Sequence, residues 1–426
     1  MSQLLREMLK DIPIPKMVKI RQKFDATRID NPAGYLADLL KRQPDALERI
    51  LPGQRVAVAV GSRGIANIAE FTRVTIDAIK SRGAQPFIVP CMGSHGGATA
   101  EGQREVLHHL GVTEEAMGAP IRSSMEVVKL AELPNGLPVY ADKIAATESD
   151  AIVVINRVKP HTAFRGEIES GIMKMIAIGL GKQKGAEACH QLGFKYMAEN
   201  VPKMARIMME KLPIVFGVAL VENAYDQTCR IEVLPAKDVE SREKELLKEA
   251  KARLPKILFD QIDVLVIDWI GKNISGDGMD PNVTGRYPTP YAHGGPDVTK
   301  MVVLDLTKES KGNANGVGTA DFTTQRLVDK TDWPGTYANG LTSTVCAPTK
   351  MATVLENDLY AIKAAVKTCN ILDYTKCRLV RIKDTLHLGE IEISVNMLEE
   401  ARRHPDIDIL TEPYDWQFDS EGYLPK

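Results

Sequence analysis

The sequence lacks the features that mark secreted and membrane-bound proteins. Its six cysteines are scattered over 426 residues without a CxxC pair, so we expect a reducing compartment rather than a disulfide scaffold. No apolar run is long enough to span a bilayer, and the amino-terminal segment MSQLLREMLKDIPIPKMVKI has no apolar leader core. We therefore predict a cytoplasmic protein without a membrane partner.

An excess of one charge is also absent. The chain has 54 Lys and Arg against 56 Asp and Glu, and aromatic residues make up only 5% of it. Without a basic stripe interleaved with aromatic rings, no nucleic-acid partner is predicted. The content of 44% hydrophobic and 26% charged residues is typical of a globular protein with a sizeable core.

A strand, a glycine-bearing loop and a helical pattern follow one another at least three times along the chain. The β-branched runs lie at residues 55–60, 86–90 and 151–158, and helical periods follow the first two at residues 68–80 and about 99–110. Strands that alternate with helices predict an α/β fold with mainly parallel sheets. Ligands of such sheets gather at the carboxyl ends of the strands.

A chain of this length is expected to form two domains. We predict an amino-terminal catalytic and cofactor-binding domain at residues 1–258 and a carboxyl-terminal α/β domain at residues 259–390, which opens with a buried strand. The tail at residues 391–426 is expected to carry a helix, and the sequence leaves open its return to the first domain. The active site is expected in the cleft between the domains.

Two histidines follow predicted strands directly. His95 lies among glycines in MGSHGGAT, and His161 follows the stiff Pro160 in VKPHTAF. Each alone is compatible with a hydrogen-bonded loop histidine. Two imidazoles at two strand ends, however, favour an acid/base pair that faces one substrate.

Lys174 lies within the apolar run IMKMIAIGLG. A buried ammonium must find a partner, lose its proton or be converted into a neutral group, unless its stem reaches water along the helix. His190 follows sixteen positions later and is a candidate metal ligand for the same cavity.

In this order, the residues resemble the nickel-pincer nucleotide-dependent lactate racemase family over most of the chain. The family pattern has a histidine after the second strand unit, which falls on His95, and a Pro-His pair, which falls on residues 160–161. Its Ser-Gly-x-x-Lys segment falls on residues 170–174, and its later metal-binding histidine falls on His190.

The resemblance implies a racemase or epimerase of a 2-hydroxy carboxylic acid. It assigns acid/base roles to His95 and His161, a thioamide-bound cofactor to Lys174, and nickel binding to His190. The implied cofactor is the nickel-pincer nucleotide, nickel pyridinium-3,5-bisthiocarboxylic acid mononucleotide. The implied partners are the small-molecule substrate and the cofactor-synthesis enzymes, and a homo-oligomer is compatible with the sequence.

Reversible hydride transfer suits the acid/base pair. The α-hydrogen of a 2-hydroxy acid is very weakly acidic, whereas imidazole titrates near pH 6.5. Removal of that hydrogen as hydride, while a histidine takes the hydroxyl proton, leaves a flat 2-keto acid without a carbanion. Since the hydroxyl points differently in the two enantiomers, one histidine is expected to serve each.

The residues expected at the substrate follow the family only in part. In the first strand-end loop, Ser62, Arg63 and Gly64 are expected to bind the cofactor, and Arg63 also the substrate carboxylate. Asn282 lies in an Asp-x-Asn element similar to that of the family. The family glutamine and lysine beyond it are unmatched, so Arg286 or Lys272 is expected to bind the carboxylate of a different acid. The glycine-rich loop at residues 312–321 either closes the cleft or forms a turn.

Two other functions remain open from the residues alone. His95, His161 and His190 together are compatible with a zinc-dependent hydrolase, although HExxH and tight ligand spacing are absent from the sequence. A non-catalytic nucleotide- or anion-binding protein is the other, but residues 61–64 are weak evidence for phosphate binding. The segment GLGKQKG at residues 179–185 lacks the Walker spacing.

Overall fold

The chain forms two compact units. The structure, a computed structural model, describes residues 2–62 and 65–425, without the side chains of residues 44 and 45. The five-stranded unit comprises residues 25–254, and the eight-stranded unit comprises residues 1–24 and 255–426. Each unit is named after its main sheet.

The strands found in the described residues are these, in chain order: β1 (Met17–Gln22), β2 (Arg55–Val60), β3 (Gln85–Pro90), β4 (Val127–Glu132), β5 (Pro138–Asp142), β6 (Ala151–Arg157), β7 (Ile214–Glu222), β8 (Thr228–Pro235), β9 (Gln261–Ile267), β10 (Asp297–Val303), β11 (Phe322–Thr324), β12 (Thr353–Leu355), β13 (Leu379–Ile382), β14 (Glu390–Ser394) and β15 (Ile407–Ile409).

The α-helices found in the described residues are these: α1 (Gln3–Leu9), α2 (Pro32–Arg42), α3 (Pro44–Leu47), α4 (Ile68–Ser81), α5 (Ala100–His109), α6 (Glu114–Met117), α7 (Lys143–Glu148), α8 (Ile172–Lys174), α9 (Lys182–His190), α10 (Met197–Lys211), α11 (Val239–Arg253), α12 (Pro281–Thr284), α13 (Gln325–Asp329), α14 (Trp333–Ser343), α15 (Asp358–Thr368) and α16 (Leu398–Arg403). A π-helical turn, Met175–Gly179, follows α8. In the described part of the chain, no helix combines the length and the apolar character needed to cross a membrane.

The five-stranded sheet is the parallel sheet that the sequence predicts. Its order is β3-β2-β6-β7-β8, with parallel pairing throughout except between β7 and β8. Its central strands are buried along almost their whole length, as continuous β-branched runs require when helices cover both faces of a sheet. The predicted helices are observed as α4 and α5, and the Thr99 side chain caps α5 by accepting a hydrogen bond from the Gly102 N–H.

The eight-stranded sheet combines a parallel half with an antiparallel half. Its order is β12-β11-β10-β9-β13-β14-β1-β15. The pairs from β12 to β13 are parallel, whereas β14 is antiparallel to both β13 and β1, and β15 is antiparallel to β1. Strand β1 therefore lies inside this sheet, between two strands from the other end of the chain.

This pairing moves two of the predicted domain boundaries. Residues 1–24 were assigned to the first domain of residues 1–258, but they belong to the eight-stranded unit because β1 pairs with β14 and β15. For the same reason the tail at residues 391–426 stays with the eight-stranded unit and does not return to the first domain. The boundary near residue 258 falls instead between Leu254 and Pro255.

Candidate functional site

Three loops meet at the carboxyl edge of the five-stranded sheet. They follow β3, β2 and β6, which are neighbours in the sheet, so adjacent loops start about 4.8 Å apart. The first two loops carry His95 and Ser62, and the third carries His161. The loop after β2 begins close to β6, because a Cβ placed on Gly61 would lie 3.0 Å from Oδ1 of Asn156 in that strand.

His95 is held by its side chain and by its backbone. Its Nδ1 is hydrogen-bonded to Ser62 Oγ at 2.5 Å, and its carbonyl oxygen accepts a hydrogen bond from Gln103 Nε2 at 3.2 Å. Ser62 therefore contacts a proposed acid/base residue. Arg63 and Gly64, which the sequence places beside it, lie outside the described residues.

His161 is fixed in one tautomer by its own loop. Its backbone N–H donates to Glu169 Oε2 at 2.7 Å, and its Nδ1 accepts a hydrogen bond from the Ala163 N–H at 3.0 Å. Because Nδ1 is the acceptor, the neutral ring carries its proton on Nε2. Burial, and then the charge of Lys174, hold the pKa of His161 well below its usual value. His161 is thus a neutral hydrogen-bond donor at neutral pH.

His190 has the opposite tautomer. Its Nδ1 lies 2.6 Å from the carbonyl oxygen of Ala186, one turn earlier in α9. A carbonyl oxygen only accepts, so Nδ1 carries the proton and Nε2 carries the lone pair. Metal-binding histidines commonly donate their second ring N–H to a backbone carbonyl in this way. Burial lowers the pKa of His190, so the lone pair stays unprotonated at neutral pH and fits a metal ligand.

Lys174 lies within electrostatic reach of both rings. It ends α8, its side chain is half-buried, and its charge lowers the pKa of His161 and of His190. Phe194 packs against both imidazoles, with its ring centroid 6.1 Å from that of His161 and 5.3 Å from that of His190. The structure therefore brings His161, Lys174 and His190 together in one cluster.

The turn that carries Lys174 is clamped from two sides. Asn156 Nδ2 donates to the Gly171 carbonyl oxygen at 3.0 Å, and the Met173 N–H donates to Glu243 Oε2 at 3.0 Å. A Cβ at Gly171 would overlap the Glu243 carboxyl group, which explains the glycine of the Ser-Gly-x-x-Lys segment. Glu243 is buried and its Oε1 has no hydrogen-bond partner in the described chain, and burial raises its pKa to about 7.

A zinc site formed by protein ligands alone is not supported. The zinc alternative requires His95, His161 and His190 to converge on one ion. Over residues 2–62 and 65–425, no group of three or more His, Cys, Asp or Glu side chains is arranged to hold a metal ion.

The candidates in the eight-stranded unit are engaged within their own unit. Arg286 donates to the carbonyl oxygens of Val298 and Thr299 and forms an ion pair with Asp321 at 3.0 Å. Lys272 Nζ donates to the Gly276 carbonyl oxygen at 2.6 Å. These contacts indicate structural roles, and substrate binding by either residue stays a prediction.

Asn282 and the glycine-rich loop at residues 312–321 are also ordered by internal contacts. Asn282 Nδ2 donates to Asp280 Oδ1 at 2.8 Å. In the loop, the Ala314 N–H donates to Thr336 Oγ1 and the Gly316 N–H donates to the Pro348 carbonyl oxygen, while Val317 is fully buried. These contacts favour the interpretation of this loop as a packed turn.

Two cavities are lined by residues that are not part of the cluster. One of 660 Å³ in the five-stranded unit is lined by residues such as Tyr35 and Arg230, and one of 420 Å³ in the eight-stranded unit by residues such as Trp269 and Trp416. The larger cavity is lined by Arg230 and Arg242, but both guanidinium groups are already paired with Glu232. Neither cavity therefore offers the chemistry seen at His161 and His190.

Sequence reasoning missed the residues that support the cluster. Glu169, Asn156 and Glu243 hold His161 and the Lys174 turn, and Gln103 holds the His95 loop. The helix that carries Glu243 has nine charged residues among its fifteen, which is the pattern of a solvated surface.

Comparisons with known proteins show the fold. Neither a family model nor a curated protein matches this chain. Its structure is similar to that of the lactate racemase apoprotein from Thermoanaerobacterium thermosaccharolyticum, with a TM-score of 0.50 and 13% identity, over 87% of this chain and 93% of that chain. The predicted two-domain α/β fold with mainly parallel sheets is confirmed, and this fold is lactate racemase-like.

Proposed function

We propose that this chain is a racemase or epimerase of a 2-hydroxy carboxylic acid. In this proposal it acts by reversible hydride transfer with a nickel-pincer nucleotide bound to Lys174. The observation that carries the proposal is the cluster of two neutral imidazoles in opposite tautomers beside one lysine. The lactate racemase-like fold supports it.

The charges around His161 suit an anionic substrate. Besides Lys174, the charges of Lys159 and Arg165 lower the pKa of His161. Cations around a neutral ring attract a carboxylate without placing a second positive charge on the imidazole. Because the glutamine and lysine of the family lactate enzyme are not matched after Asn282, we expect a 2-hydroxy acid other than lactate.

Lys174 and His190 are the residues that would hold the cofactor. A thioamide at Lys174 removes its positive charge, which relieves the cost of placing an ammonium beside two desolvated rings. His190 Nε2 would bind the nickel, since its Nδ1 is already committed to Ala186. When bound, the cofactor supplies an electrophilic centre that accepts and returns a hydride.

The two acid/base histidines differ in the tautomers open to them. His161 donates through Nε2, which suits it to hold the oxygen of the 2-hydroxy or 2-keto group. His95 is bonded to a hydroxyl group, which both donates and accepts, so either tautomer is open to it. His95 can therefore act directly as the base for one enantiomer, whereas His161 accepts a proton only after its bond from Ala163 breaks.

The test combines mass with racemisation. Protein produced together with the cofactor-synthesis enzymes should gain mass at Lys174, and Lys174→Ala should gain none. Loaded protein should racemise at least one member of a panel of 2-hydroxy acids, without taking up solvent deuterium at the α-carbon. His95→Ala and His161→Ala should each lower the rate at least 100-fold, the usual contribution of a positioned acid or base.

Three outcomes would contradict the proposal. If Lys174 gains no mass, the protein does not carry the proposed cofactor. Deuterium at the α-carbon of the product indicates proton abstraction instead of hydride transfer. If His95→Ala and His161→Ala leave every measured activity unchanged, the chain is a non-catalytic nucleotide- or anion-binding protein.

A further inference from the structure

Lys182 is a buried charge in the middle of GLGKQKG. Its side chain is fully buried, and its φ of +54° lies in the left-handed region that residues other than glycine rarely adopt. Burial of an ammonium costs several kcal/mol unless its donors are satisfied. The position therefore needs an explanation beyond packing.

The Lys182 ammonium donates two hydrogen bonds and forms an ion pair with Asp142, whose Oδ2 accepts no hydrogen bond within the described chain. Nζ lies 2.5 Å from the Pro90 carbonyl oxygen, 3.1 Å from Gln103 Oε1 and 3.1 Å from Asp142 Oδ2. Asp142 is also fully buried, and its Oδ1 caps α7 by accepting from the Ala145 N–H. Strand β3, helix α5 and the N-cap residue of α7 thus converge on one ammonium group.

Gln103 connects this ammonium to His95. While its Oε1 faces Lys182, its Nε2 donates to the carbonyl oxygens of Gly93 at 2.8 Å and of His95 at 3.2 Å. An amide presents oxygen on one side and NH₂ on the other. Because an ammonium only donates, Lys182 determines that the NH₂ group points at the two carbonyl oxygens of the His95 loop.

The backbone around Lys182 holds the same loop. The Gly93 N–H donates to the Gly179 carbonyl oxygen at 3.2 Å. A Cβ at Gly179 would lie 2.6 Å from Cys91 Sγ, so this glycine lets the two segments approach. The side chain of Lys182 and the segment before it therefore contact the His95 loop at Pro90, at Gly93 and, through Gln103, at His95.

We infer that Lys182 is a positioning residue for His95, acting through Gln103 and the Pro90 carbonyl group. The segment GLGKQKG then has a positioning role that does not depend on phosphate binding. The role of His95 in catalysis rests on the proposed function, but its position and chemical reactivity do not. The inference is therefore testable on protein without cofactor.

The test measures how fast His95 reacts with diethyl pyrocarbonate, by peptide mass spectrometry. His387, in the eight-stranded unit with 61% of its side chain exposed, is the internal reference. In Lys182→Met the rate at His95 should change at least fivefold, the effect of about 1 kcal/mol for one hydrogen bond, while the rate at His387 stays constant. Lys184→Met, at an exposed lysine of the same segment, should change neither rate.

A double variant separates positioning from stability. Lys182→Met leaves Asp142 buried without its cation, whereas Lys182→Met with Asp142→Asn removes both charges and should recover most of the lost stability. The changed rate at His95 should persist in the double variant. An unchanged rate in a folded Lys182→Met protein, or a return to the original rate in the double variant, would overturn the inference.

If Lys182→Met does not fold, Gln103→Met tests the same connection. It removes the amide between Lys182 and His95 and should give the same fivefold change at His95, whereas an unchanged rate would again overturn the inference. Loaded enzyme gives a second readout. Lys182→Met should lower kcat more than it raises KM, because His95 is displaced as a proton acceptor while substrate binding remains.

Discussion

Both units contain paired buried charges, such as Lys182 with Asp142 in the five-stranded unit, but the five-stranded unit also holds buried ionisable groups in their neutral form. In the five-stranded unit, His161, His190 and Glu243 are desolvated, and burial is the largest cause of each pKa change. In each case burial favours the neutral form. Burial of such groups lowers the stability of the fold. Groups of this kind cluster at functional sites.

In the eight-stranded unit, buried charges are matched with opposite ones. Asp305 is bound by Lys330 at 2.7 Å and by Arg326 at 3.0 Å. Arg381 pairs with Asp268 at 2.8 Å. Burial by itself lowers the pKa of Arg381, but the neighbouring carboxylates raise it above its ordinary value. Paired charges of this kind fix a structure, whereas neutral groups held without a counter-charge are ready to exchange protons.

The largest expected effect contrasts an unpaired with a paired carboxyl group. The pKa of Glu243 is about 7 in the folded chain against an ordinary 4.5. Its stabilising contribution is therefore complete below pH 4.5 and is lost as the pH rises through 7, by about 3 kcal/mol at 1.36 kcal/mol per pH unit. Glu243→Gln should abolish this loss and be more stable than the unsubstituted chain at pH 8, measured by urea unfolding.

Asp305→Asn is the matched control in the other unit. It leaves two cations near a buried amide and should lower stability by about 3 kcal/mol at pH 8. A rise in stability at pH 8 in Glu243→Gln and a fall in Asp305→Asn would support the difference between the two units. A loss of stability at pH 8 in both would mean that the Glu243 charge is needed as a helix cap, and the contrast between the units would fail.

A smaller effect is expected at Arg286. Arg286→Met removes the bonds to Val298, Thr299 and Asp321 and should lower stability by about 2 kcal/mol, with KM of the loaded enzyme nearly unchanged. Lys300→Met is the control, because its Nζ lies 3.8 Å from the same aspartate, and it should cost less than about 1 kcal/mol. A KM raised tenfold in Arg286→Met at unchanged stability would instead support carboxylate binding.

The smallest effect is electrostatic. Lys174→Met removes a cation that lowers the pKa of His161 and of His190, so both values should rise, as measured by NMR titration of the imidazoles. Each ring then stays partly protonated to a higher pH. Lys184→Met should leave both titrations unchanged. If neither pKa changes in Lys174→Met, Lys174 does not act on the two histidines.

The sequence was most informative about elements set by local pattern. The runs at β2, β3 and β6 and the capping Thr99 have direct signatures, and strand-end loops are where functional side chains gather. That argument reaches His95 and His161. The shared neighbourhood of Lys174 and His190 comes from the resemblance and not from periodicity.

The remainder depends on contacts between residues far apart in the chain. Glu243 contacts Met173 across 70 positions, and Lys182 contacts Gln103 across 79. A buried carboxyl group on a charged helix has the same local pattern as an exposed one, so its role is not visible in the sequence. The sequence leaves the place of the tail open for the same reason, since the pairing of β1 with β14 has no local signature.

The place of β1 between β14 and β15 has a consequence during biosynthesis. Arg21 of β1 contacts Glu390 of β14, 369 positions later, so the ribosome must finish nearly the whole chain before β1 finds its neighbours. The five-stranded unit is continuous and can form earlier, as domains generally do on the nascent chain. Until then β1 exposes two unpaired edges, which are the places where misassembly starts. Truncation after residue 389 should therefore yield a protein that depends on chaperones.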